Sequence, residues 1–325
     1  MLTRRSLGPL ALASASLALP RATRAQEEWS ARTVTAVVPW PAGGPTDAFA
    51  RLLCNRLSGD LGRNFVVENR GGANGTIGMT SAARARPDGA TVIIAPNSTY
   101  AVAPHLYPVN YDAERAFVGV GLLVSSPLFM LVPRNSPVTS VADYVALAKK
   151  DNKGLNYANA GVGATSHLAT EMFMQMAGIS VTEVGYRGGG PAVQAVLAGE
   201  AGMFFMPAAA VMAYIQSGEF RALAATTRAR SPLAPEVPTF QELGFPGFEV
   251  VEHVAMLAPA GTPEPILRRL NAACAAALRA PEMQPRLQSM AVTVEAQPIE
   301  AWPAYARAES DKWRVFLKER NIRIQ

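Results

Sequence analysis

Cysteine, histidine and long apolar runs are all scarce in this 325-residue chain, which holds 2 cysteines and 3 histidines. His105, His167 and His253 lie far apart, without metal-ligand spacing, so neither a metal nor a cofactor is expected. The Gly-x-Ser-x-Gly turn of a nucleophile elbow is missing. No lysine follows Gly43-Gly44, as a phosphate-binding loop would require. Ser166 and His167 are adjacent and poorly disposed for a serine–histidine relay. An exported hydrolase built on Ser98 or Ser166 with a distant histidine is therefore only the enzyme alternative, and no catalytic residue is assigned. Clusters of Lys and Arg interleaved with aromatics are also absent, which excludes a nucleic-acid surface.

The amino terminus carries a different signal. Met1-Leu2-Thr3-Arg4-Arg5 precedes an apolar stretch at 7–19, shorter than the roughly 20 residues a spanning helix needs. Small residues around Thr23-Arg24-Ala25 offer cleavage before Gln26. Residues 1–25 read as an export signal, twin-arginine-like or general secretory, that sends the mature chain to the periplasm. The signal also explains the charge: removing its four arginines from the formal +5 leaves about +1. Cys54 and Cys274 fall on apolar helix stripes and read as small buried hydrophobes. A disulfide between them is the alternative in an oxidising compartment.

Two glycine-rich turns stand out: Pro41-Ala42-Gly43-Gly44-Pro45-Thr46-Asp47 and Ala160-Gly161-Val162-Gly163-Ala164-Thr165-Ser166-His167. Each follows a strand-like run (34–40 and 155–160) and opens an amphipathic helix (48–61 and 165–177). A helix start presents unpaired N–H groups and the positive end of its dipole, so both turns suit an anion. Asp47 reads as a cap or loop brace, since a carboxylate would repel that anion.

Around these turns the pattern alternates. Strands at 34–40, 65–68 and 91–95 enclose helices at 48–61 and 75–86, a β-α-β-α-β unit. Apolar strands at 117–124 and 128–132 follow, split by Ser125-Ser126-Pro127. A capping box at Ser140 and Asp143 opens a second alternating set that runs to 222–226. A proline-rich return leads to a strand at 248–258 and helices at 264–279 and 301–320. The expected fold is α/β with two lobes: residues 26–125 and 253–325 in the first, 126–252 in the second. The chain crosses between them near 123–127 and 250–254, and the C-terminal helices pack back on the first lobe.

The residues also carry a family pattern. Val37-Val38-Pro39-Trp40-Pro41-Ala42-Gly43-Gly44-Pro45-Thr46-Asp47 resembles the first strand and loop of the Bug receptors, the extracytoplasmic solute receptors of tripartite tricarboxylate transporters. Ordered matches continue through Val67-Glu68-Asn69-Arg70, Pro87-Asp88-Gly89, Asn156-Tyr157-Ala158, Ser166-His167-Leu168-Ala169, Tyr186-Arg187-Gly188 and Ala258-Pro259-Ala260-Gly261-Thr262-Pro263. The resemblance covers the mature chain. It implies a type II periplasmic-binding-protein fold, a monomer that captures a small carboxylate between its lobes. The partner would be a membrane transporter of the tripartite type or a sensor ectodomain.

Candidate ligand residues follow from both readings. The first lobe offers Trp40, Ala42, Gly43 and Gly44, with Asn97, Ser98 and Thr99 at the carboxyl edge of the sheet. Ser98 is the preferred hydroxyl donor, the alternative being a plain turn. The second lobe offers Thr165 and Ser166, and Asn159 and Tyr186 at neighbouring strand ends. His167, in a first helical turn that disfavours its charged form, reads as a ligand contact or a neutral structural residue. His253 stands where relatives carry an aromatic, and Met206 where they often carry an aspartate. The methionine cannot pair with an ammonium group, so a non-amino carboxylate is expected, with Met206 as a core residue in the alternative.

Overall fold

The computed structural model describes residues 29–323; the export signal lies outside the described residues. The chain begins with β1 (Thr33–Val38), α1 (Pro45–Leu61), β2 (Asn64–Asn69), α2 (Thr76–Ala83), β3 (Thr91–Pro96), a π-helical turn (Ser98–Val102) and α3 (Ala103–Leu106). It continues through β4 (Phe117–Pro133), α4 (Val141–Lys150), β5 (Asn156–Asn159), α5 (Thr165–Ala177), β6 (Thr182–Gly185), α6 (Gly189–Leu197), β7 (Met203–Pro207), α7 (Ala208–Gln216) and β8 (Phe220–Ala225). It closes with β9 (Val251–Pro259), α8 (Glu264–Arg279), α9 (Gln284–Ser289), β10 (Thr293–Val294) and α10 (Trp302–Glu319).

The strands form two half-sheets that share β4. In the first, β1 pairs in parallel with β2 and β3, β3 pairs antiparallel with β9, and β9 with β4. In the second, β5 is parallel to β6 and β7, and β4 is antiparallel to β7 and β8. Strands covered on both faces should be apolar on both, with alternate residues serving opposite cores. Val92 and Ile94 of β3 join α1 and α8, while Ile93 and Ala95 face α2. Met203 and Phe205 of β7 join an aromatic core around Tyr144, Phe173 and Phe240; Phe204 and Met206 join the other core with Phe129 and Val211.

Three local expectations change. The break at Ser125-Ser126-Pro127 does not exist: β4 is one 17-residue strand. Pro127 sits after the last β10 pair, at Ser125, and before the first β7 pair, at Leu128. One flank of the strand is unpaired there, a position that tolerates a proline. Second, α1 starts at Pro45 and not at residue 48, because proline at the first helical position brings the required φ and no N–H to satisfy. Third, the chain after β3 winds into the π-helical turn and α3, which the sequence pattern did not single out. The two cysteines do not pair, in keeping with their reading as small buried hydrophobes. Cys54 and Cys274 are free, buried thiols in one core, and burial pushes Cys54 up to about 12.

The crossings between lobes are visible in the pairing. β4 exchanges β9 and β10 for β7 and β8 around Pro127-Leu128, and β9 starts opposite Pro127, at Val251. α8 packs on the first half-sheet through Ile266, Leu270 and Cys274. α10 serves both: Trp302 packs beside Met79 and Ile93, whereas Trp313, Phe316 and Leu317 enter the aromatic core of the second lobe.

Candidate functional site

A cavity of about 150 Å3 lies where the carboxyl ends of the strands from both half-sheets face each other. A water needs about 10–15 Å3 of such space, so there is room for a small molecule. Residues from the starts of four helices line it: Gly44, Pro45 and Thr46 at α1, Thr165 and Ser166 at α5, Gly189 and Gly190 at α6, and Pro207 just before α7. Each helix follows a strand directly, so the sheet topology aims four positive dipole ends at one volume. One such end stabilises a nearby negative charge by about 0.3–1 kcal/mol, and by up to about 2 when partly buried.

The first turn is built around Asp47. Its Oδ2 accepts from Gly43 N at 2.9 Å and from Arg51 Nε at 3.0 Å, and its Oδ1 accepts from Asn69 Nδ2 at 2.9 Å. Burial would raise its pKa, but the Arg51, Gly43 and Asn69 bonds outweigh that and hold the carboxyl below its usual value. Asp47 thus braces the loop, and the Gly43 N–H is already engaged. Gly43 has φ +81°, the left-handed region that glycine enters freely. Trp40 forms a wall of the cavity, its Nε1 donating to Thr99 Oγ1 at 2.8 Å.

The second turn uses its own side chains as braces. Ser166 Oγ accepts from Ala160 N at 3.1 Å, leaving its hydroxyl hydrogen for another acceptor. Gly163, with φ +79°, brings the loop close to α3; a Cβ there would lie 2.6 Å from Leu106 Cδ1. The Tyr107 hydroxyl donates across to the Val162 carbonyl at 2.9 Å, closing this side. Among the described residues no protein acceptor takes the N–H groups of Thr165 or Ser166.

Of the sequence candidates, Trp40, Ala42, Gly43, Gly44, Ser98, Thr165, Ser166 and Met206 line the cavity. Ser98 is 2 % exposed and its hydroxyl has no partner among the described residues. Met206 is both core and cavity wall. Six candidates stand elsewhere. Asn97 is spent on structure, donating to Glu309 Oε1 at 2.7 Å and to the Val251 carbonyl, and accepting from His253 N. Thr99 holds Trp40 from behind. Asn159 bridges Glu183 and Gly161 N. His167 is buried behind the α5 turn, with Nδ1 accepting from Gly163 N at 3.4 Å. Burial lowers its pKa despite Glu183 and Glu171, so it is a neutral brace. Tyr186 reaches outward to Glu200. His253 pairs with the Tyr305 hydroxyl at 2.9 Å, away from the cavity, because alternation along β9 gives the inward face to Glu252.

Two charged wall residues escaped the sequence reading. Arg187, just before α6, lines the cavity, is exposed and has no ion-pair or hydrogen-bond partner among the described residues. Glu252, where β9 begins, lines the opposite strand edge; its Oε2 accepts from Thr165 Oγ1 at 3.3 Å. Only the motif Tyr186-Arg187-Gly188 hinted at the first, and nothing in the sequence singled out the second. No group of three or more His, Cys, Asp or Glu is placed to hold a metal ion among the described residues.

Known proteins resemble this chain in sequence and fold. Residues 49–322 match the family described as tripartite tricarboxylate transporter family receptor. A UPF0065 protein from the tcbD–tcbE intergenic region of a Pseudomonas species is 35% identical over 97% of this chain and 94% of its own. Protein BugT of Bordetella pertussis is 31% identical over 97% and 96% of the two chains. Among solved structures, an R. palustris protein with adipate superposes with a TM-score of 0.86 at 33% identity, covering 91% of this chain and 99% of that one. MatC of Rhodopseudomonas palustris with bound malate gives 0.82 at 32% identity, covering 88% and 99%. The periplasmic binding protein BugD superposes with a TM-score of 0.84 at 34% identity, covering 90% of this chain and 99% of that one. On the family match and on this identity across nearly its whole length, the chain belongs to the tripartite tricarboxylate transporter receptor family, the Bug receptors.

Proposed function

We propose that this protein is a periplasmic receptor that captures a small carboxylate, of the size of adipate or malate, and delivers it to a tripartite membrane transporter. The observation that carries this reading is the convergence on one small cavity of four helix starts and of Arg187, which has no partner among the described residues. Free N–H groups at Thr165 and Ser166, with the Ser166 and Ser98 hydroxyls, suit one carboxylate; Arg187 and the Gly44 turn suit a second. Charge-assisted hydrogen bonds contribute about 1.5–3 kcal/mol each, so a handful reaches micromolar affinity, near −8 kcal/mol, after the cost of immobilising the ligand. That solved relatives hold adipate and malate supports the same ligand class.

Met206 supplies an apolar wall between the polar ends, with Phe129 beside it in the same core. A thioether gives an ammonium group no counter-charge, which favours plain over amino carboxylates. The two lobes close around the ligand about the β4 and β9 crossings, and the closed surface is what the membrane partner reads. Residues 1–25 act as the export signal, through the twin-arginine or the general secretory route.

A thermal-shift screen across mono-, di- and tricarboxylates, aromatic acids and amino acids tests the proposal. A ligand at 100 times its Kd stabilises the folded state by about 2.7 kcal/mol, which is easily read as a raised Tm. The proposal expects dicarboxylates to give the largest shift and aspartate and glutamate less. A larger shift from an amino acid or a neutral solute overturns it.

A further inference from the structure

Among the described residues, Glu252 is the one carboxyl in the wall of a cavity otherwise suited to an anion. It stands at the start of β9, opposite Ser126, where the chain returns from the second half-sheet to the first. Its Oε2 holds the Thr165 hydroxyl, and no lysine or arginine pairs with it among the described residues. An ionised carboxylate there would repel a ligand carboxylate held at the α5 start by the same Thr165. A protonated one offers the ligand a donor.

We propose that Glu252 takes up a proton with the ligand and donates it in a hydrogen bond to a ligand carboxylate oxygen, so that capture is proton-linked. The inference rests on the carboxylate reading of the cavity. The proton comes from solvent, stays on Glu252 while the ligand is bound and returns when the lobes open. Geometry supplies the arrangement: Glu252 lines the cavity, its Oε2 is engaged by Thr165, and Oε1 has no hydrogen-bond partner among the described residues.

The surroundings support this. Burial raises the Glu252 pKa to about 7, and the Thr165 hydrogen bond lowers it only in part. An anion entering the cavity raises it further. The other titratable groups nearby do not cancel the effect. Tyr100, on the π-helical turn, is neutral, with its pKa raised well above the usual value by burial, and feels the Glu252 charge. His253, next on β9, and His167, on α5, both have pKa values lowered by burial and stay neutral. Glu309, on α10, is engaged by Asn97 and Trp313. Among the described residues, Arg187 is the one cation on the cavity wall, and it forms no ion pair with Glu252.

The test is calorimetric titration of the mature protein with adipate and with malate from about pH 6 to about pH 9, where ligand carboxyls of ordinary pKa, near 4, are ionised. In wild type the affinity falls by about tenfold per pH unit above about 7. Repeating the titration near pH 8 in buffers of different ionisation heat shows close to one proton taken up per ligand, and close to none near pH 6. In Glu252→Gln the pH dependence over this range disappears. Binding that is pH-independent in wild type, or that releases protons, overturns the proposal while leaving the carboxylate reading intact. Failure of every carboxylate to bind at any pH overturns both.

Discussion

The indole Nε1 of Trp40 donates to the Thr99 hydroxyl across 2.8 Å, joining the end of the first strand to the turn after the third. Thr99 is fully buried and Trp40 forms the cavity wall in front of it. Thr99→Val keeps the shape and removes the acceptor. An unsatisfied buried donor costs about 1–3 kcal/mol. Urea unfolding is expected to show a loss in that range, with an altered Trp40 emission and weaker ligand binding. Unchanged stability and binding would mean that the bond fixes nothing.

Trp313 makes the second prediction. It is fully buried, its Nε1 donates to Glu309 Oε1 at 2.7 Å, and it sits in the aromatic core with Tyr144 and Phe173 although α10 begins against the other half-sheet. Trp313→Ala is expected to cost about 3–5 kcal/mol. Hydrogen exchange should locate the loosening in the second lobe, around α4 and α5. Loosening confined to the first half-sheet would contradict the bridging role of this helix.

The third concerns pH. Burial lowers the pKa of His105, His167 and His253. Below about pH 6.5 the unfolded chain binds these protons more readily than the fold, so each histidine removes stability as the pH falls through that range. Glu252 acts in the opposite sense. Its folded pKa, raised to about 7 from 4.5, makes the fold the better proton binder, and stability is lost as pH rises between those values. Glu252→Gln should therefore gain stability relative to wild type on going from about pH 5 to about pH 8. Denaturant unfolding at the two pH values reads this directly. An equal difference at both would remove Glu252 from the balance.

Much of the scaffold was legible because strands and helices carry their periodicity locally. The strand at 91–95 and the turns at Gly43 and Ser166 needed no long-range information. The cavity wall was harder. Glu252 and Arg187 belong to segments far apart in sequence that meet only through the two crossings, and neither sits in a distinctive local pattern. His253 was singled out in place of its neighbour, and the two-residue period of β9 means that only one of them can face inward. The pattern also leads to the expectation that α10 packs on the first lobe, and its apolar stripe does not show that Trp313 and Phe316 enter the core of the second. The polar residues Asn97, Asn159 and His167 were correctly placed at strand ends and helix starts, yet their hydrogen bonds turn inward to brace the loops.

The central claim is that the α5 start holds a ligand carboxylate. Ser166→Asp puts a fixed carboxylate in that place, and an acidic residue in a first helical turn is favourable for the helix, so folding should survive. Calorimetric titration of wild type and Ser166→Asp with adipate and malate near pH 6.5 tests the claim most directly. One saturable site in wild type and an affinity lower by about 100-fold in the variant, about 2.7 kcal/mol, with Tm maintained, is the expected result. Equal affinity in the two proteins, or no carboxylate binding by wild type, would contradict it.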